Sequence, residues 1–394
     1  MTKFHGEATR AVHRPDPIVP AQQPLALPVY RTSTYRFDSA QEYSDVLGDQ
    51  RPGYSYSRID NPTSDAFAAA VAALEGAAAG QPFASGMAAI STSVLAHVGA
   101  GDHIVCQAAL YGGTWSLFAR VLARFGVRTT FVSRPTPEAI RAAVDERTRL
   151  IYLEAIANPT LAVADIPGVA AVAHEVGALL AVDATFATPV LIRPLAHGAD
   201  LVLHSATKYL GGHSDATGGV VLGGPDVIAP IRSLRIDLGG CLAPDEAFLL
   251  HRGIATLPLR MARHCDSALL IATELADHPA VDRVHYPGLP SHPDHALATG
   301  LLGGRYGGIV SIDPVGGREA GMAFCDGLRL GAVAASLGGT HTYVSHAAST
   351  THRQLDDRAL AEAGIAPSTV RISIGLEDPA DLLTDFRHAL NDMR

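Results

Sequence analysis

Cysteine is scarce in this chain. Its 394 residues hold four, Cys106, Cys241, Cys265 and Cys325, far apart and with no CxxC pair. That spacing argues against a disulfide framework or a cysteine zinc centre. Isolated buried thiols in a reducing compartment are the expectation. Basic clusters are also missing: the formal charge of −9 comes without a basic stripe, so nucleic acid is not an expected partner. No apolar run reaches the roughly 18 residues that a membrane helix needs, so no membrane partner is expected. The opening segment, MTKFHGEATRAVHRPD, lacks the apolar core of a secretion signal, and a cytoplasmic location is expected. No repeat stands out, and no metal site is expected. Of the 18 histidines, His292 and His295 lie close together in SHPDH. Their Pro, Ser and Asp neighbours are those of a surface turn, and no HExxH helix accompanies them. They are expected to be solvated loop histidines.

What is present is a chain that can fill large cores, 47% apolar and 18% charged, with room for two or three domains at roughly 100–200 residues each. The first part, including RPDPIVPAQQPLALPVY, is proline-rich and irregular. Asn61-Pro62-Thr63 then opens a helical run, with Phe67, Val71 and Leu74 at helical spacing and a stop at Gly76. Short apolar segments follow as strands: HIVCQ (103–107), RTTFVS (128–133), RLIYLEA (149–155), LLAVDAT (179–185) and ADLVLHSAT (199–207). Helical stretches such as WSLFARVLARFG, TPEAIRAAVDERT and IPGVAAVAHEVG separate them. Apolar strands without polar alternation, spaced by helices, predict an α/β fold with a mostly parallel sheet covered on both faces. After a long helical run from Pro244 to about His278, scattered strands and a terminal helix suggest a smaller α+β domain. The expected division is an extended arm over 1–55, an α/β domain over 56–245 and a C-terminal α+β domain over 246–394.

Two of these strands end on charge. LLAVD ends at Asp183, and LVLHSATK runs through Ser205 and Thr207 to Lys208. In a parallel sheet both would meet at the carboxyl edge, where ligands bind. Either residue alone reads more plainly as an ion-pair member or a helix cap. Together, an amine, a carboxylate and two hydroxyls suit pyridoxal phosphate, which needs a Schiff-base lysine, an acid for its ring nitrogen and a phosphate cup. The S-x-x-K pattern Ser205–Lys208 also fits acylating serine enzymes, but the SDN and KTG partners of that chemistry are absent. Further candidates follow. Ser85-Gly86-Met87 opens a helix whose N–H groups suit a phosphate. Tyr111 precedes Gly112 and Gly113 and could stack on a planar ring. Arg371 lies opposite the apolar face of TVRISI and could fork a carboxylate; a solvated strand edge is the plain alternative.

At this point the chain resembles the Cys/Met-metabolism pyridoxal-phosphate enzymes, the fold-type-I group of cystathionine γ-synthase, cystathionine γ- and β-lyases, methionine γ-lyase and O-acylhomoserine sulfhydrylases. The motifs that carry the resemblance are YSRIDNPT (56–63), ASGMAAI (84–90), ALYGGTW (109–115), HSATKYLGGHSD (204–215), SLGG (336–339) and RISIGLED (371–378). The resemblance implies that Lys208 holds the cofactor and moves protons, and that Asp183 pairs with the pyridine nitrogen. It implies phosphate contacts from Ser205, Thr207 and the N–H groups of Gly86 and Met87, with Tyr56 and Arg58 reaching the phosphate from a neighbouring subunit. Tyr111 would stack on the ring and protonate the leaving group; Arg371, with Ser336 and Asn158, would hold the substrate carboxylate. A homotetramer of two dimers with shared active sites is implied.

The substrate class is less sharply marked. Methionine γ-lyases usually carry a cysteine where this chain has Gly113, and cystathionine γ-lyases tend to have an acidic residue near His341. The segment Ser349–Leu355 looks closer to the sulfhydrylases. The first expectation is a γ-lyase that cleaves the Cγ–S bond of L-methionine or L-cystathionine, giving 2-oxobutyrate, ammonia and a thiol. The alternative is γ-replacement, by an O-acylhomoserine sulfhydrylase or cystathionine γ-synthase.

Overall fold

The computed structural model describes residues 22–353 and 356–393. Its larger sheet has seven strands: β1 (Ala79–Phe83), β2 (His103–Gln107), β3 (Arg128–Val132), β4 (Thr148–Glu154), β5 (Leu179–Asp183), β6 (Leu201–Ser205) and β7 (Gly219–Gly223). Their order is β1-β7-β6-β5-β4-β2-β3. The five strands from β6 to β3 run parallel, and β7 is antiparallel to both β1 and β6. Ile151 and Leu153 of β4 pack into one core with Val182 and Val202, while Leu150 and Tyr152 pack into another with Ala181 and Leu203. Both faces are therefore covered, which is why these strands read as unbroken apolar runs. The mostly parallel α/β sheet expected from the sequence is the one observed.

The second sheet has five strands, β8 (Val281–His285), β9 (Ile309–Pro314), β10 (Ala332–Val333), β11 (Tyr343–His346) and β12 (Val370–Ser373), in the order β10-β11-β12-β9-β8. Only β10 and β11 are parallel. The helix Leu257–Ala276 links the two layers. Its Leu257, Met261 and Cys265 belong to the core of the large sheet, and Ala268, Ile271 and Leu275 to that of the small one.

Local chemistry sets most boundaries. The helix Pro62–Glu75 starts where Asn61 Oδ1 accepts from Thr63 N at 2.9 Å and stops at Gly76, whose φ of 75° is left-handed. Three expectations need correction. The run from Pro244 is two helices, Pro244–Ile254 and Leu257–Ala276, because Pro258 cannot donate to the preceding turn. The stretch after Tyr111 is a short α turn, a π turn over Leu117–Val121 and a 3-10 turn over Leu122–Phe125, rather than one helix. Within the arm, Ala40–Leu47 is helical: Ser39 Oγ accepts from Glu42 N and Glu42 Oε2 accepts from Asp38 N, both at 3.1 Å. The arm's first 21 residues lie outside the described ones.

His292 is not solvated. It is 8% exposed, accepts from Asp294 N at 3.1 Å, and burial pulls its pKa down to about 4. Three cysteines are buried as expected, Cys241 only partly, and no disulfide joins them. No helix among the described residues is long and apolar enough to cross a membrane.

One buried cation organises the chain just past Lys208. Arg260 donates to the carbonyls of Tyr209 at 2.7 Å, Leu210 at 3.3 Å and Gly253 at 2.8 Å. Arg260→Ala is expected to destabilise the protein by about 2–3 kcal/mol. Thermal unfolding checks this.

Candidate active site

The parallel strands carry their terminal residues to one edge. Glu154 ends β4, Asp183 ends β5 beside it in register, and Ser205 ends β6. These residues line a cavity of about 950 Å³, together with Lys208, Thr207, Gly86, Met87, Tyr111, Asn158, Ser336 and Arg371. Ten of the twelve residues singled out in the sequence thus meet in one place. Tyr56 and Arg58 are the other two, and neither lines the cavity. Arg58 lies over the Tyr56 ring at 5.7 Å and donates to Ile236 O. Arg235 holds this segment through Arg58 O at 3.2 Å and Asp60 Oδ1 at 3.1 Å.

Lys208 is half-buried. Its Nζ donates to Ser336 Oγ at 2.7 Å, and burial plus the charge of Arg371 bring its pKa down to about 8. Arg371 is 4% exposed on a strand between β11 and β9, so the solvated-edge alternative does not hold. Its Nη1 donates to Asn158 Oδ1 at 3.2 Å and its Nη2 to Ser336 O at 2.9 Å, while its Nε has no partner. No carboxylate pairs with it among the described residues, and burial draws its pKa down to about 10. Such a cation calls for an anionic ligand. Ser336 is held at a φ of 85°, an uncommon left-handed backbone for a serine that is pinned by Arg371 and Lys208.

The donor set fits pyridoxal phosphate. Gly86 and Met87 begin a helix capped by Ser85 Oγ, which accepts from Ala88 N at 3.1 Å; their own N–H groups have no intrahelical acceptor. The turn is tight: a Cβ on Gly86 would lie 2.7 Å from Ser205 Cβ, and one on Gly219 would lie 2.3 Å from Ser85 O. Only glycine lets that backbone come so close to the Ser205 side chain. Asp183 takes hydrogen bonds from Thr185 N at 2.9 Å and Tyr152 OH at 3.3 Å. Burial raises its pKa, a penalty that a protonated ring nitrogen would offset.

Glu154 escaped the sequence reading. Its Oε1 accepts from Tyr111 N at 2.6 Å and its Oε2 from Asn158 N at 3.0 Å, so one carboxyl group positions both the tyrosine and the partner of Arg371. Burial and neighbouring Asp183 push its pKa up to about 8. A Glu closing an apolar strand resembles an ordinary strand end; the available signal was its place at the same edge as Asp183.

Comparison with known proteins gives the family. Residues 8–391 match the family model for the Cys/Met metabolism PLP-dependent enzyme. The chain is 40% identical to an L-methionine gamma-lyase of Porphyromonas gingivalis over 391 residues, covering 98% of each. It is 41% identical to a cystathionine gamma-synthase of Mycobacterium tuberculosis over 389 residues, covering 98% of this chain and 97% of that one. Among solved structures, it superposes with a TM-score of 0.91 and 32% identity on a Campylobacter jejuni protein assigned as an O-acetylhomoserine (thiol)-lyase, covering 94% and 96% of the two chains. That structure carries N'-pyridoxyl-lysine-5'-monophosphate. Pyridoxal phosphate is the cofactor of this family.

Glu154→Gln keeps the shape but turns an NH2 toward one of the two N–H donors. The variant is expected to lose roughly 10–100-fold in kcat/KM, read by steady-state kinetics. The Glu154 pKa rises from 4.5 to about 8 on folding, so its contribution to stability is present below pH 4.5 and lost as pH rises toward 8. The thermal midpoint of cofactor-free protein should therefore decline less over that range in Glu154→Gln than in the wild type.

Proposed function

Because the chain belongs to the Cys/Met metabolism PLP-dependent enzymes, which include γ-elimination and γ-replacement catalysts, we propose that it is a γ-lyase. It cleaves the Cγ–S bond of L-methionine or L-cystathionine. The observation that carries this reading is the buried Arg371, without a carboxylate partner and with its Nε free, in the same cavity as the Lys208 amine. That pair suits an α-amino acid, and the L-methionine gamma-lyase relative at 40% identity supports elimination from Cγ.

Each residue then has a task. Ser205, Thr207 and the N–H groups of Gly86 and Met87 hold the cofactor phosphate; Asp183 keeps the ring nitrogen protonated. When bound, pyridoxal phosphate supplies the electron sink for charge left at the substrate carbons. Lys208 would hold the cofactor and, as a free amine with its pKa lowered to about 8, take the Cα proton, pass it on to the bound cofactor and, deprotonated again, take a Cβ proton. Ser336 Oγ, 2.7 Å from Nζ, aims that amine. Arg371 forks the substrate carboxylate while Asn158 and Ser336 hold its other corners. Tyr111 protonates the departing sulfur. The thiol leaves, and hydrolysis releases the remaining four carbons as 2-oxobutyrate with ammonia. Tyr56 and Arg58 complete the phosphate site of a neighbouring subunit in a homotetramer, which works in the cytoplasm.

A second reading is γ-replacement by an O-acylhomoserine sulfhydrylase or cystathionine γ-synthase. The Mycobacterium tuberculosis relative at 41% identity favours it, and it would use the same residues.

The deciding experiment supplies L-methionine or L-cystathionine with no added thiol or acylhomoserine and follows 2-oxobutyrate. Turnover of either supports the γ-lyase; none, in protein that still binds its cofactor, moves the assignment to replacement. Lys208→Ala should lose borohydride-fixed cofactor and at least about 10²–10⁴ in rate. Retained turnover with fixed cofactor would refute its role. Arg58→Ala should weaken cofactor retention, and light scattering should find an oligomer; a fully active monomer contradicts the shared site.

A further inference from the structure

The cavity contains a third cation that the chemistry above does not use. Arg353 lines it beside Ser349, Thr350 and Thr351. Its main chain sits in a fixed turn: Arg353 N donates to Thr350 O at 3.4 Å, Thr350 N to His346 O at 3.2 Å and His352 N to Ala347 O at 2.9 Å. The adjoining His352 is 2% exposed, which anchors that turn. Arg353 itself is exposed, and its guanidinium meets no partner among the described residues.

Charge in the cavity is uneven. Lys208, Arg353 and Arg371 face only two carboxyl groups, Asp183 and Glu154. Both are already committed, Asp183 to Thr185 N and Tyr152 OH, and Glu154 to the N–H groups of Tyr111 and Asn158. The hydroxyls beside Arg353 are also engaged. Thr350 Oγ1 donates to His346 O at 2.7 Å, Thr351 Oγ1 lies 2.9 Å from His352 Nδ1, and Ser349 Oγ lies 2.8 Å from His346 Nδ1. A substrate with a single carboxylate uses Arg371 and leaves Arg353 unmatched. One with a second carboxylate beyond the γ-substituent gives each guanidinium a fork-shaped partner.

We propose that Arg353 binds a distal carboxylate carried on the γ-substituent, so that the enzyme prefers dicarboxylic γ-substituted amino acids to those ending in a methyl group. This rests on the reading above that γ-substituted amino acids enter the cavity through Arg371. Because Arg353 is exposed, the preference should weaken as salt is added.

The test compares holoenzyme with Arg353→Ala and Arg353→Lys on two substrate pairs, in each of which only one member carries a distal carboxylate. L-Cystathionine and L-methionine are assayed for elimination, and O-succinyl- and O-acetyl-L-homoserine with sulfide for replacement. In Arg353→Ala the ratio of kcat/KM within a pair is expected to fall about tenfold against the dicarboxylic member, through KM, with Arg353→Lys in between. A fall in either pair supports the assignment. Unchanged ratios in both pairs, or no turnover in either, overturn it. Loss of elimination alone refutes the γ-lyase reading, and the acylhomoserine pair then still decides the role of Arg353.

Discussion

The arrangement of this site depends on a guanidinium kept out of water. Arg371 is buried on the central strand of the smaller sheet with no carboxylate beside it, a placement that costs free energy unless its donors are satisfied. Asn158, just after β4 of the larger sheet, and the carbonyl of Ser336 satisfy two of its nitrogens. The cation therefore ties two sheets together at the cavity. From it a continuous chain of hydrogen bonds runs one way through Ser336 to Lys208, and the other way through Asn158 and Glu154 to Tyr111.

The same loss of solvent acts on the ionisable groups with opposite signs. It lowers Lys208 to about 8 and raises Glu154 to about 8 and Asp183 above its ordinary value, because burial disfavours whichever form is charged. A lysine easier to deprotonate is a better base near neutral pH. A carboxyl group that resists ionisation gains from a cationic ring beside it. The family's cofactor and the proposed amino-acid substrate would bring into the cavity the charges that complement these groups.

Much of this was legible in the sequence where local rules apply. HIVCQ is β2 to the residue, since an apolar run bounded by turn residues has few other uses. Asp183 and Lys208 stood out because charge at the end of an apolar strand has no local reason. The helix Ala40–Leu47 was missed although Ser39 and Glu42 spell a capping pair, because the prolines upstream suggested an extended arm. His292 was misjudged for a related reason: its neighbours in sequence are polar, but Leu289 nearby is core.

By itself, the sequence determined where the parallel strands of the main sheet lie, that this sheet is mostly parallel, and which residue types gather at its carboxyl edge. Periodicity, capping and strand-end position are local properties, and the motifs that mark the family are local as well. Tertiary structure alone decided that Arg371 is buried rather than solvated and that Glu154 holds Tyr111 and Asn158 together. It also placed Arg353 in the same cavity as Lys208, 145 positions earlier in the chain. Each of these depends on which surfaces lose water when two sheets close on each other, and desolvation belongs to the packed arrangement, which no single segment contains.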